Sequence, residues 1–360
     1  MEFNINYTKH INSKIIVERD CRKLLKSLLK ESNYYKISVL VDKNVKDIWL
    51  NSADDFFEIN KDYQLIEVKE GEAAKSLECY SKIIKELLDF GLERDSLLIA
   101  IGGGALCDLA GFVASTFMRG IDLFLIPTTL IAQADAAIGG KNGINFVSKN
   151  IIGTFYLPKL VLIDPIFLET LSDIEFINGL GEVLKYLVIE GKELPILFKE
   201  NLDRIKTRNN DVLLKVLQLS VKTKANLVEE DLEEKNKRMI LNFGHTIGHA
   251  IEAVSNYNVK HGIAVAYGLI VESFIANRIL NFPIEDVSFI MNLIHRLNFD
   301  FNFDYEVNEL LNYVMLDKKR RKGNLLMALP RKMGEFVIEE IDEDVIKVAI
   351  DEAKRVVLNA

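Results

Sequence analysis

Cysteine is scarce in this chain: Cys21, Cys79 and Cys107 are odd in number, and none stands in a CxxC pair. That spacing excludes a disulfide framework and a metal site built on paired thiolates, and it fits a reducing cytoplasm. With 6 prolines in 360 residues, and no repeat or low-complexity tract, the chain is neither a disordered tail nor a repeat array. Positive charge is in deficit: 45 Lys and Arg face 53 Asp and Glu, a formal net charge of -8. A general nucleic-acid binder needs a clustered positive surface, so that class is disfavoured, while a local group of cations for a small anion is not. Long apolar runs are missing as well. The most apolar region, residues 96–138, is interrupted by Asp108, Arg119, Asp122 and Asp135, short of the roughly 18 apolar residues of a membrane span. The opening MEFNINYTKH has neither the basic start nor the apolar stretch of a secretion signal. The expectation is a cytoplasmic protein with no membrane or nucleic-acid partner.

What is present is enough apolar sequence for a large core. The composition is 49% hydrophobic and 27% charged over 360 residues, longer than one hydrophobic core usually serves, so two domains are expected with a cleft near their junction. KISVLVD (36–42), CYSKIIKELLDFGL (79–92), SLLIAIGGG (96–104) and IDLFLIPTT (121–129) alternate strand and helix patterns, the signature of parallel strands joined by crossover helices. Beyond Pro165 the apolar spacing becomes helical, as in EFINGLGEVLKYLVIE and LLKVLQLSVKTKANLVEE. The fold class expected is an α/β N-terminal domain with a Rossmann-like, mostly parallel sheet over residues 1–172, followed by a largely α-helical domain over 173–360.

Several short patterns carry chemistry. Gly102, Gly103 and Gly104 follow an apolar strand and precede a helical run, so backbone N–H groups and a helix N-terminus can approach a pyrophosphate. The spacing is not GxGxxG, and a tight turn without ligand reads equally well. Asp42 ends a strand, where a carboxylate can accept from a ribose. Glu72, Lys75, Thr128 and Thr129 are ordinary loop polar residues unless the whole set is taken together.

His245, His249 and His261 are three of the chain's 5 histidines. His245 and His249, four apart, share a helical face, and His261 can return to the same place if a helix end and a loop intervene. An acidic residue inside an apolar helix, Glu182, completes a carboxylate and imidazole set suited to catalytic zinc. Spacing leaves open which two histidines bind. GGKNGIN followed by KN puts Lys141, Lys149 and Asn150 in a glycine-rich loop able to bring ammonium and amide donors to a phosphate. Lys185 lies in the same apolar helix as Glu182, and buried cations have partners. The run VEEDLEEKNKR (228–238) reads as a solvated helix end, and DKKRRKG (317–323) is the one like-charge cluster of note.

Taken in order, GGGALCDLAGFVASTFMRG, IPTTLIAQADAAIGGKNGIN, GLGEVLKY, and LNFGHTIGHAIE followed by HG resemble the 3-dehydroquinate synthases, sugar-phosphate cyclases, over about residues 36–330. The resemblance implies zinc held by Glu182, His245 and His261, with cobalt or another divalent ion able to substitute, and His249 turned to the substrate. It implies NAD contacts at Asp42, Glu72, Lys75, Gly103, Gly104, Asp108, Thr128, Thr129, Lys141, Lys149 and the segment Phe167, Leu168, Glu169, Thr170. Catalytic roles fall to Asp135, Lys141, Lys185, Asn242 and His249. Substrate contacts fall to Asn150, Lys224, Arg238 and Lys318, with Arg119 supplied across a homodimer interface. Three departures stand out: GINFVSKN is one residue short of the common form, Gly181 replaces a usual Ala, and the 317–323 tract is more basic.

The implied reaction converts 3-deoxy-D-arabino-heptulosonate 7-phosphate to 3-dehydroquinate and phosphate, a lyase step of the shikimate route to aromatic amino acids. Transient oxidation at C5, phosphate elimination, re-reduction, ring opening and aldol closure follow in turn. The alternatives are a related cyclase acting on another sugar phosphate, or a metal-dependent NAD alcohol or glycerol dehydrogenase.

Overall fold

LLIAIG is apolar throughout, and the inner run ISVLV of KISVLVD at all but Ser38, as strands covered on both faces must be. In the computed structural model, which describes residues 11–50, 62–301, 303–316, 320–321 and 324–358, they become two central strands of a parallel sheet. Its strands are β1 (Lys14–Val17), β2 (Lys36–Asp42), β3 (Asp62–Val68), β4 (Leu97–Gly102), β5 (Asp122–Pro127) and, beyond a hairpin of β6 (Lys141–Phe146) and β7 (Ser148–Phe155), β8 (Leu160–Ile163). The order across the sheet is β1-β8-β5-β4-β2-β3, and every pairing in it is parallel. From β2 the chain runs to one edge at β3 and returns to the other side of β2 at β4, so the switch point of the topology lies between the C-terminal ends of β2 and β4. In open α/β sheets that crevice receives ligands.

The chain divides into two compact units, Met1–Thr128 with Ala137–Ile163, and Thr129–Ala136 with Asp164–Ala360. The first holds the sheet and the hairpin. In the second, the helix Asp173–Glu190 starts at Ser172, whose hydroxyl accepts from Glu175 N, and is buried on almost every side from Phe176 to Val188. It packs against the helices Asn210–Glu230 and His261–Leu280, and the latter packs against His245–Val254. The helix His261–Leu280 has the length and composition to cross a membrane, although the sequence was expected to hold no such run. Its most apolar window is 78% buried in the fold, as a core helix is.

The second unit also contains strands the helical spacing did not announce. β9 (Arg320–Arg321), β10 (Asn324–Lys332) and β11 (Glu335–Ile341) form an antiparallel sheet, with Leu325, Met327 and Leu329 buried at alternate positions. A register shift between Pro330 and Lys332 accommodates a proline that cannot donate to a ladder. A second difference concerns GGKNGIN and KN. These are not a free loop but the hairpin β6 and β7, in antiparallel register from Lys141 opposite Phe155 to Phe146 opposite Ser148.

Candidate active site

At the switch point, Gly103 caps the helix Gly104–Thr116 in an extended conformation. A side chain at Gly102 would meet Leu106 Cδ2 at 2.6 Å and Asp42 Cβ at 3.1 Å, so the helix and β2 both crowd this position. Asp42 itself caps the following helix, accepting from Asn44 N at 2.9 Å. Burial raises its carboxyl pKa despite the backbone donors. Thr128 N donates to Gly102 O at 2.9 Å, tying the end of β5 to the glycine turn.

Lys75, 3% exposed, lies in the same unit. Its ammonium donates to Asp108 Oδ2 at 2.7 Å and also to Asn150 Oδ1 on β7. Asn145 of β6 bonds Glu72 Oε1 at 2.8 Å through its side chain and Lys75 O at 2.7 Å through its backbone. Glu72, Lys75, Asp108 and Asn150 thus form one network across the hairpin. Lys141, Lys149 and Arg119 are exposed, and Arg119 adopts φ 64 beside Met118 at φ 50.

In the helical unit, Glu182 is 1% exposed, with His245 Nε2 3.1 Å and His261 Nε2 3.0 Å from its Oε1. Lys185, one turn on, places Nζ 2.5 Å from Glu182 Oε2. Burial favours the neutral acid, but Lys185 and the two imidazoles outweigh it and hold Glu182 well below the usual carboxylate range. Burial lowers the pKa of His245, outweighing the pull of Glu182. His261, although burial opposes its charge, is pushed up to about 10 by bonds to Glu182 and Glu252. His261 sits where the chain was expected to return: the helix ends at Val254 and the next begins at His261. Among the described residues two sets of three could hold an ion, Glu182 with His245 and His261, and His249 with Glu252 and His261, the ligand atoms within each set lying within 4.8 Å of one another.

Adjoining this cluster is a buried ionic network. Asp135, in a wide turn of helix at Ala132–Ala136, is met by Lys224 Nζ at 2.9 Å and Lys185 Nζ at 3.4 Å. The Tyr186 hydroxyl donates to it as well. Burial alone would raise the Asp135 pKa, and the two ammonium groups reverse that to well below its ordinary value. Lys185 is raised by its carboxylates against burial, whereas burial pulls Lys224 down. Lys224 also donates to Asp135 O at 2.7 Å. Arg238, 1% exposed, donates to Leu232 O at 2.5 Å, and Asn242 donates to Glu234 Oε1 at 2.7 Å. Phe167 and Leu168 point into the core while Glu169 and Thr170 are exposed. Thr129 accepts from Ala132 N at 3.3 Å. Lys318 lies outside the described residues.

Two sequence models match in succession, 3-dehydroquinate synthase N-terminal over residues 65–178 and 3-dehydroquinate synthase C-terminal over residues 179–320. The chain belongs to the 3-dehydroquinate synthase family. It is 42% identical to a 3-dehydroquinate synthase of Pyrococcus abyssi over 331 residues, covering 92% of this chain and 97% of that one. It is 43% identical to one of Pyrococcus furiosus over 330 residues, covering 92% and 96%. Among solved structures, a 2-epi-5-epi-valiolone synthase of Streptomyces hygroscopicus subsp. jinggangensis with NAD+ and Zn2+ bound shares the fold at TM-score 0.86. It is 24% identical, over 98% of this chain and 99% of that one.

Gly181 stands beside Glu182 where there is no room for a side chain. A Cβ there would lie 1.9 Å from Gly262 O, and Gly181 and Gly262 are the sequence neighbours of Glu182 and His261. The two helices touch backbone to backbone where they carry these residues, with Gly262 N donating to Asn178 Oδ1 at 2.7 Å. Gly181→Ala is therefore expected to destabilise the protein by about 1–3 kcal/mol through overpacking. Thermal unfolding checks it, and an unchanged midpoint would mean the crossing can widen freely.

Sequence reasoning missed Tyr186, Asn178, Glu252 and Glu272. Glu252 Oε2 lies 3.0 Å from His261 Nδ1, the usual place of a carboxylate that orients a metal-binding imidazole. Its signal was its position seven residues after His245, on the same helical face.

Proposed function

We propose that this chain, in the cytoplasm, converts 3-deoxy-D-arabino-heptulosonate 7-phosphate to 3-dehydroquinate and phosphate, using NAD and zinc. The observation that carries the reading is Lys185, shared between Glu182 at 2.5 Å and Asp135 at 3.4 Å. It makes a carboxylate and imidazole cluster continuous with a buried cation network, as a metal site acting on an anionic sugar phosphate requires. A simple alcohol dehydrogenase has no need of those cations.

Glu182, His245 and His261 fit zinc, since one buried anion and two imidazole nitrogens already converge and the donor set is that of catalytic sites with an open position. Cobalt suits the same donors. Asp42, Gly103, Gly104, Glu72, Lys75, Asp108 and Thr128 are assigned to NAD, together with Thr129, Lys141, Lys149 and Phe167–Thr170. Zinc held by Glu182, His245 and His261 would supply polarisation of a substrate hydroxyl, and NAD would supply a reversible hydride acceptor. Asp135 aims the Lys185 and Lys224 ammonium groups, which are assigned with Arg238 to the anionic substrate; Lys141, Asn150 and Lys318 are assigned to substrate as well. Holding both ends of a flexible substrate raises the effective molarity of its ring closure. His249 and Asn242 are assigned to proton movement and orientation at the substrate.

The test is phosphate release with zinc and NAD present. Phosphate is expected stoichiometric with 3-dehydroquinate and without net NADH, whereas accumulating NADH would point to a dehydrogenase. Faster turnover of another sugar phosphate in parallel assays would point to a sister cyclase. Lys75→Met should raise the NAD dissociation constant roughly tenfold, about 1.4 kcal/mol; calorimetric titration giving wild-type affinity would remove Lys75 from the cofactor set.

We also propose a homodimer in which Arg119 serves the partner's substrate. Phe146, Val147, Ile151 and Phe155 expose apolar side chains on β6 and β7 and the turn between them, and such exposure is commonly covered by a partner. Sedimentation at the mass of a single chain would end that proposal.

A further inference from the structure

The helix that begins at His245 starts without a capping side chain of its own. Its cap residue is Gly244, at φ 83. Ordinarily a Ser, Thr, Asp or Asn there accepts the N–H of the third helical residue, and a Glu or Gln reaches back to the N–H of the cap. Here one carboxylate from a different helix does both. Glu272 Oε2 accepts from Gly244 N at 2.7 Å, and Oε1 accepts from Ile247 N at 3.2 Å. Glu272 is 0% exposed, and a buried carboxylate is sustained by such charge-assisted bonds.

Its location adds meaning. Glu272 stands on the helix headed by His261, and Gly268, one turn earlier, lets the two backbones touch: a Cβ there would lie 1.9 Å from Gly244 O. The helix headed by one imidazole thus grips the head of the helix that carries the other. The peptide unit between Phe243 and Gly244 is the link. Its N–H donates to Glu272, and its C=O, the Phe243 oxygen, lies 3.3 Å from His245 Nδ1. Because the peptide is planar, fixing the N–H fixes the direction of the carbonyl, and a carboxylate on one end polarises the acceptor on the other.

We propose that Glu272 is a positioning residue for the metal. Acting through the Phe243–Gly244 peptide, it orients His245 against His261 and so sets the affinity of the site for zinc. This rests on the reading that Glu182, His245 and His261 hold the ion. Glu252 orients His261 by direct contact, and Glu272 does the same for His245 through one peptide unit. Its negative charge also offsets the positive end of the His245 helix, which would otherwise oppose a cation at that place.

The experiment uses full-length Glu272→Gln, which keeps the shape and one acceptor while removing the charge. Zinc affinity is measured by competition with a chromophoric chelator on metal-free protein, and NAD affinity by titration of the same samples. The zinc dissociation constant is expected to rise 10- to 100-fold, the range for loss of such supporting groups, with NAD affinity unchanged. Equal loss of melting temperature with and without zinc, at wild-type zinc affinity, would show a purely structural residue and overturn the inference. Should the variant not fold, hydrogen exchange on the metal-free wild-type protein decides. Slow exchange at Gly244 and Ile247 supports the clasp, and exchange as fast as in the exposed turn Asn256–Asn258 refutes it. The underlying reading fails separately, if wild-type protein binds no zinc or His245→Ala binds it as tightly as wild type.

Discussion

His245→Ala and His261→Ala proteins are expected to lose zinc and turnover together, whereas His249→Ala should keep its zinc and lose turnover only. The reason is convergence on Glu182 Oε1, which lies 3.1 Å and 3.0 Å from Nε2 of His245 and His261. The His249 ring, centred 5.4 Å from that of His245 and 5.8 Å from that of His261, is exposed. Loss of the ion removes several kcal/mol of charge stabilisation, roughly a thousandfold or more in rate. Loss of a proton-transfer group costs about 10²- to 10⁴-fold. The competing set of His249, Glu252 and His261 demands the opposite pattern, with His249→Ala stripped of metal and His245→Ala retaining it. Elemental analysis after dialysis, beside a phosphate-release assay, separates the two.

The second large effect is expected at Asp135. Asp135→Asn leaves the buried ammonium of Lys224 without its carboxylate partner and Lys185 with Glu182 alone. Breaking a buried ion pair from one side costs about 3–5 kcal/mol, so urea unfolding at neutral pH should show a loss of that order alongside lost turnover. The pH dependence has a definite sign. The folded pKa of Asp135 is depressed below its unfolded value, burial being outweighed by Lys185 and Lys224. Between those two pKa values the unfolded chain binds the extra proton, so stability rises with pH there. The contribution is complete above the unfolded value, about 4, and drains away as pH falls toward the folded one. The gap between wild type and Asp135→Asn should therefore be constant above about pH 5 and shrink in acid. A gap that ignores pH would mean the carboxylate charge is not what stabilises the network.

What was legible in the sequence was what depends on near neighbours. Asp42 and the Gly102–Gly104 turn stood out because strand ends and glycine turns are local, and the parallel topology then brought them together. The helical unit's first helix could be read from the apolar spacing of EFINGLGEVLKYLVIE. Periodicity could show His245 and His249 on one face, but it could not choose between ligand sets that share His261; the family resemblance made that choice. The hairpin of β10 and β11 was hidden because Pro330 and a register shift break its alternation. Glu252 and Glu272 looked like ordinary helix acids, since their partners lie 9 residues away in one case and 25 and 28 in the other. Asp135 was suggested by resemblance alone, its partners standing 50 and 89 residues on.

Thr129–Ala136 belongs to the helical unit although sheet-unit sequence flanks it on both sides. No single cut can therefore divide this gene into two self-sufficient halves. A fragment ending at Ile163 would carry Asp135 away from its lysines. One starting at Asp164 would have to bury Lys185 and Lys224 lacking that counterion, and an eight-residue peptide spanning Thr129–Ala136 is the smallest piece that could complement it. During synthesis the same stretch must wait until Lys224 has left the ribosome, so completion of the helical unit is delayed by the order in which the chain is made.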